Sequence, residues 1–227
     1  GPVLGPLATD SRITRQLNNI RVKCAVSLER SGSLIAREEG ELLFRDYGVS
    51  GVCVFNLSRF ACEGDVLSID FLPHMPAADR DAWLFARRKH LSARLGENGQ
   101  IAAEDVLRGA MLPQVAQVLC KCAGIDPAHP LSKKDVLALS RVIGGLRLTV
   151  RGIGDAKQCQ VSRGGLSIAA FDPQTMGAVR ASGLFAAGEA LDVDAPCGGY
   201  NLHWAWSSGL LAGVSAARSA VSADREG

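Results

Sequence analysis

No apolar run in this chain approaches the roughly 20 residues that a bilayer-spanning helix needs, which argues against a membrane protein. Charge of one sign is also lacking. A formal net charge of +2 over 227 residues gives no support to binding of nucleic acid or another polyanion. Seven cysteines (24, 53, 62, 120, 122, 159 and 197) are an odd number scattered without a framework, which points to reduced thiols in a cytoplasmic protein. Cys120-x-Cys122 has no second ligand pair at zinc spacing, so ordinary thiols are expected there. No Ser-His-Asp set, paired carboxylates or metal cluster stands out, a pattern that suits an enzyme whose cofactor does the chemistry. A dinucleotide-binding G-x-G-x-x-G turn is missing as well. The nearest string, Gly152-Ile-Gly154-Asp-Ala-Lys157, has lysine at the third glycine position and lies between two strand-like runs; a hairpin loop is the expected reading.

What is present is ordinary in composition, with 47% hydrophobic and 21% charged residues, and long enough to bury a core. One stretch is distinctive, Gly183 to Gly209. Leu184 to Ala187 is a short apolar run closed by Gly188, the pattern of a buried parallel strand. A loop with Pro196 and the Gly198-Gly199 pair follows, and helical spacing runs from about Tyr200 to Arg218, with Ala205, Gly209, Gly213 and Ala216 near one face. Two glycines before a helix leave its first N–H groups uncovered at the positive end of the macrodipole. A flavin needs such a feature where charge builds at N1 and O2 on reduction. Glu189 could accept hydrogen bonds from sugar-alcohol hydroxyls. The same spacing suits a tight strand–loop–helix turn with no ligand.

Upstream, Ile20 to Leu28 alternates like a half-buried strand, Arg30-Ser-Gly-Ser33 reads as a hairpin turn, and Leu34 to Phe44 returns as further strand. Ser50 is placed to cap a short helix through about Ser58. After a strand at 66–72 the period changes, and 79–95, 103–110, 113–122 and 133–143 read as helices, the last with Ser132 and Asp135 as a capping arrangement. The run Arg87-Arg88-Lys89-His90 suits a solvated helix face. Leu146 to Val150, Cys159 to Val161 and Leu166 to Ile168 look like strands that rejoin the first sheet. The expected fold is α+β: a barrel-like β subdomain from 1–72 and 146–170, a helical insertion at 73–145, and a C-terminal strand–loop–helix segment at 171–227.

Three ordered blocks carry a family resemblance. Gly183-Leu-Phe-Ala-Ala-Gly-Glu-Ala-Leu-Asp-Val-Asp194 followed by Gly198-Gly-Tyr-Asn-Leu-His-Trp-Ala-Trp-Ser-Ser-Gly209 resembles the C-terminal flavin motif of the BaiN/YhiN-like NAD(P)/FAD-dependent oxidoreductases. Gly40-Glu-Leu-Leu-Phe-Arg-Asp-Tyr-Gly-Val-Ser-Gly51 is similar to that family's internal motif, and Gln160-Val-Ser-Arg-Gly-Gly-Leu-Ser167 with Asp172-Pro-Gln-Thr-Met176 matches in order and spacing. The resemblance implies an FAD enzyme passing hydride from NAD(P)H to a small organic acceptor. It implies a flavin site at Gly188, Glu189, Gly198, Gly199, Tyr200, Asn201 and Leu202, a substrate pocket at Tyr47, Ser50 and Gly51, and a proton donor among Tyr47, Tyr200 and His203. Family members begin with a Rossmann half carrying G-x-G-x-x-G, so the chain reads as the C-terminal part of a larger flavoprotein. Its expected partner is that N-terminal half or a second copy of itself, and alone it is expected to bind FAD weakly or not at all. The alternative is a cofactor-free fragment or interaction domain.

Overall fold

The structure is a computed structural model that describes residues 1–95 and 100–226. In chain order it contains β1 (Pro2–Val3), β2 (Leu7–Thr9), α1 (Ser11–Thr14), β3 (Arg21–Arg30), β4 (Ser33–Arg45), β5 (Gly48–Ser50) and α2 (Val52–Ser58). There follow β6 (Val66–Asp70), α3 (Ala77–Leu95), α4 (Pro113–Cys122), α5 (Lys133–Gly144), β7 (Leu146–Ile153), β8 (Val161–Ser162) and α6 (Tyr200–Glu226). The chain divides into two units, Pro6–Gly154 and the combination of Gly1–Gly5 with Asp155–Gly227.

In the larger unit six antiparallel strands close into a barrel in the order β2-β5-β4-β3-β6-β7. Closure removes the free edges that a sheet of this size would otherwise expose. The β3–β4 hairpin turns through Ser31 and Gly32, both with positive φ (51° and 81°), at the turn expected from Arg30-Ser-Gly-Ser33. Strand β6 pairs with β7 from Val66↔Thr149 to Ile69↔Leu146, so strands from either side of the helical stretch share one sheet. Leu28, Leu42, Phe44, Val49, Leu67, Ile69 and Leu148 are fully buried and continuous with Leu57 of α2, Leu84 of α3, Leu119 of α4 and Leu139 of α5 in one apolar cluster. Helix α5 opens on the expected capping box: Ser132 Oγ accepts from Asp135 N–H, and the Asp135 carboxylate accepts from Ser132 N–H at 2.8 Å.

Several local expectations need correction. Ser50 does not cap α2; it is buried as the last residue of β5, opposite Leu43, and Gly51 takes the cap position with φ 110°. Only glycine fits there, because an added Cβ would lie 2.3 Å from the Glu41 carbonyl oxygen. Gly152 is not in a hairpin loop but inside β7, paired with Ala8 of β2. Val161–Ser162 leaves the barrel to pair with β1 in a separate two-stranded ladder. Ile168–Ala170 forms a turn of 3₁₀-helix, as does Glu104–Leu107. In the charged run of α3, Arg87 is tied down rather than solvated, its Nε donating to the Val106 carbonyl at 2.8 Å and its guanidinium stacking on Trp83.

Beside the barrel, Asp65 is buried and receives Arg30 Nε at 2.8 Å, Arg30 Nη2 at 2.9 Å and the Cys62 N–H at 2.8 Å. The hydrogen bond from Arg30 holds its carboxyl below the usual carboxylate range. A depressed folded-state pKa stabilises above the unfolded value near about 4 and is lost as pH falls through the folded value. Denaturant midpoints measured from pH 5 downward should therefore fall, and Asp65→Asn should flatten that acid slope.

Candidate functional site

In the smaller unit two stretches lie side by side ahead of α6. Leu166 N–H donates to the Ala190 carbonyl at 2.8 Å, and Asp192 N–H donates to the Leu166 carbonyl at 2.9 Å. Asp192 Oδ1 also accepts from Gly164 N–H at 3.0 Å. Leu184–Ala187, expected as a parallel strand, makes only an antiparallel bridge, Gly177↔Phe185, with Leu184 exposed. A parallel ladder needs neighbouring strands, and none stands beside this segment among the described residues. Gly188 then turns the chain, its N–H donating to Ser208 Oγ at 2.9 Å and its carbonyl accepting from Trp204 Nε1 at 3.2 Å. These two bonds dock the first half of α6 on the turn.

The loop into α6 is shaped by Gly198 and Gly199, with φ of 130° and 87°, a backbone path that side chains rarely tolerate. The Gly199 carbonyl accepts from His203 N–H at 2.9 Å, the first bond of the helix. Helix geometry thus leaves the N–H groups of Tyr200, Asn201 and Leu202 without intrahelical acceptors, and no side chain among the described residues takes their place. Asn201 instead spends its amide on the loop, with Oδ1 accepting from Ala195 N–H and Nδ2 donating to the Ala195 carbonyl, both at 2.9 Å. Asn201→Ala should release Ala195; native-state hydrogen exchange of its amide is expected to speed up by about tenfold, the loss of one net hydrogen bond.

A cavity of about 430 Å³ opens at this loop. Glu189, Gly198, Gly199, Asn201 and Leu202 of the expected set line it, together with Gln160, Val161, Pro196, Cys197 and Ala205, which were not among the expected flavin-site residues. Glu189 Oε1 accepts from Ser162 N–H at 3.2 Å. Gly188 lies buried beneath. Tyr200 is exposed with its ring against Gly198, and His203 is exposed on the first turn. The small-residue face is split: Ala205 packs at Gly188 while Gly209 and Gly213 meet nothing. The buried face of α6 is carried by Ser208 and Ala212.

Tyr47, Ser50 and Gly51 belong to the barrel unit. The Tyr47 carbonyl accepts from Thr9 N–H at 3.0 Å and its ring packs over Gly154. The block Gly40–Gly51 therefore builds barrel wall, β4 into β5, and the start of α2.

A family model for the HI0933-like protein Rossmann domain matches residues 10–215. The chain belongs to the HI0933-like flavoprotein family, the BaiN/YhiN-like group. Among its relatives, a 3-dehydro-bile acid delta(4,6)-reductase of Clostridium scindens is 29% identical over 225 residues, 95% of this chain and 53% of the relative. The ribosomal RNA dihydrouridine synthases of Escherichia coli and Haemophilus influenzae are 29% and 27% identical, each over 78% of this chain and covering 43% and 42% of their own lengths. The chain thus spans about half the length of these HI0933-like relatives. No described helix is long and apolar enough to cross a membrane, and no described group of three or more His, Cys, Asp or Glu is placed to hold a metal ion.

Proposed function

We propose that this chain is the flavin-facing C-terminal part of an FAD-dependent NAD(P)H oxidoreductase. The observation that carries the reading is the start of α6, where Tyr200, Asn201 and Leu202 have no intrahelical acceptor for their amides, Asn201 and Leu202 line the cavity, and the Asn201–Ala195 clamp holds the loop. The residues suit a flavin edge: amide donors and a helix N-terminus for negative charge, Val161, Pro196 and Ala205 for flat apolar contact, and a carboxylate at Glu189 for sugar-alcohol hydroxyls. Bound FAD would supply the redox chemistry, taking hydride from NAD(P)H and giving it to an organic acceptor. The protein's share would be to offer the amides of Tyr200, Asn201 and Leu202 to the pyrimidine edge as its charge develops, and the Glu189 carboxylate to the ribityl hydroxyls. Tyr200 and His203 beside this loop, and Tyr47 in the barrel unit, are the candidate proton donors, with Ser50 and Gly51 assigned to the wall of the acceptor pocket. The acceptor proposed is a small molecule, as for the bile-acid relative, and the compartment proposed is the cytoplasm.

The remainder of the flavoprotein, or a second copy in its absence, is proposed to cover α6. Leu202, Trp206 and Leu210 are 69%, 79% and 72% exposed at i, i+4 spacing, an apolar stripe that a monomer rarely leaves in water. The purified chain is expected to be colourless and to bind FAD weakly; stoichiometric flavin or a submicromolar Kd in a fluorescence titration would overturn that part of the reading.

A further inference from the structure

A second cavity, of about 510 Å³, lies wholly in the barrel unit, between α1, the C-terminal ends of α4 and α5, and the first residues of β7. Its floor is apolar (Ile13, Val118, Val142 and Leu146), and Arg12, Lys121 and Arg147 line it with no carboxylate among the lining residues. Arg147 is compensated by Glu29 at 2.9 Å, but Arg12 and Lys121 have no ion-pair partner among the described residues. At the end of α4 the carbonyls of Leu119, Cys120 and Lys121 accept from the N–H groups of Ala123, Ile125 and Gly124 at 2.9–3.0 Å. Arg12 and Lys121 are exposed residues lining this concavity, and no carboxylate among the lining residues pairs with either.

We propose that this cavity binds an organic anion with an apolar body, its carboxylate or phosphate between Arg12 and Lys121 and its hydrocarbon on Ile13, Val118, Val142 and Leu146. Its volume lies in the range of small-ligand sites. A bare inorganic anion would leave the floor wet, and a neutral apolar molecule would leave both cations unpaired. Cys122 stands at the rim as an exposed thiol and reports occupancy; the charge of Arg12 reaches it, opposing the rise that desolvation imposes on its pKa.

The test compares 4-phenylbutyrate, 4-phenylbutanol, inorganic phosphate and a single-stranded RNA oligonucleotide as ligands of the full chain. Isothermal titration gives affinity, and mass spectrometry gives the alkylation rates of Cys122 and of exposed Cys62 as an internal control. Phenylbutyrate is expected to slow alkylation of Cys122 at least threefold without changing Cys62. It should bind at least tenfold more tightly than the alcohol or phosphate, and weaken when salt is raised from about 0.05 to 0.5 M. Arg12→Gln with Lys121→Gln should cost at least tenfold in affinity; where the double variant melts early, Lys121→Gln alone should cost at least threefold. Equal protection by the alcohol or by phosphate, stronger protection by RNA, no protection at all, or unaltered binding by the variants would overturn the proposal.

Discussion

Replacing Gly51 by valine is expected to lower stability by about 4 kcal/mol and Tm by roughly 10–15 °C. Two costs combine. Gly51 sits at φ 110°, where a β-branched residue is strained, and its Cβ would lie 2.3 Å from the Glu41 carbonyl oxygen and 3.3 Å from the carbonyl carbon. Both are backbone atoms of β4, so relief requires the strand itself to move. That strand is paired with β3 from Ser33 to Leu43 and with β5 from Leu43↔Ser50 to Arg45↔Gly48, so movement there loosens the barrel wall. Alanine at the same position should cost less, about 3 kcal/mol, because it keeps the overlap but loses the β-branch strain. Thermal melts followed by circular dichroism check both, and a loss under about 1 kcal/mol for valine would show that the turn is not tightly determined.

The second large effect is expected at a buried ion pair. Arg80 Nη2 donates to Asp70 Oδ2 at 2.8 Å, with side chains only 9% and 14% exposed. Asp70 Oδ1 also accepts from Leu72 N–H at 2.9 Å, and the guanidinium lies over Gly144, where a methyl group would overlap it. Asp70→Ala should cost about 3–5 kcal/mol, because it strands a buried cation. The double change Asp70→Leu with Arg80→Met should recover most of that loss, since well-packed apolar replacement of a buried pair is often close to neutral. Urea denaturation of the single and double variants gives the coupling directly. Equal losses in both would mean that packing at α3, rather than the unpaired charge, sets the cost.

Elements governed by short-range signals were legible before any coordinates. Alternation marked β3, Ser132 and Asp135 marked the start of α5, and Ser31-Gly32 marked the hairpin. The Gly198-Gly199 loop and the helix after it were legible for the same reason, since glycine pairs and helical spacing are local. Pairing was not. Leu184–Ala187 has the composition of a buried strand, yet a strand exists only through its neighbours, and the segment lies half-exposed with one antiparallel bridge. Val161–Ser162 alternates well enough to join the barrel but is captured by β1 through long-range hydrogen bonds that no window of sequence contains. In the candidate site, Asn201 was expected to contribute its backbone; its side chain turned out to build the loop, and asparagine's readiness to bond nearby backbone groups was the available signal. Gln160 and Val161 reach the cavity from about 40 residues away in sequence, beyond any local signal.

The role proposed for the amides at the start of α6 is to hold the pyrimidine edge of a flavin. An amide-resolved NMR titration of the isotopically labelled chain with FAD tests it most directly, because it reads weak binding residue by residue. The expected result is saturable shifts concentrated at Gly199, Tyr200, Asn201 and Leu202, with a Kd from high micromolar to millimolar. Shifts confined to other surfaces, or none at the solubility limit of FAD, would contradict it.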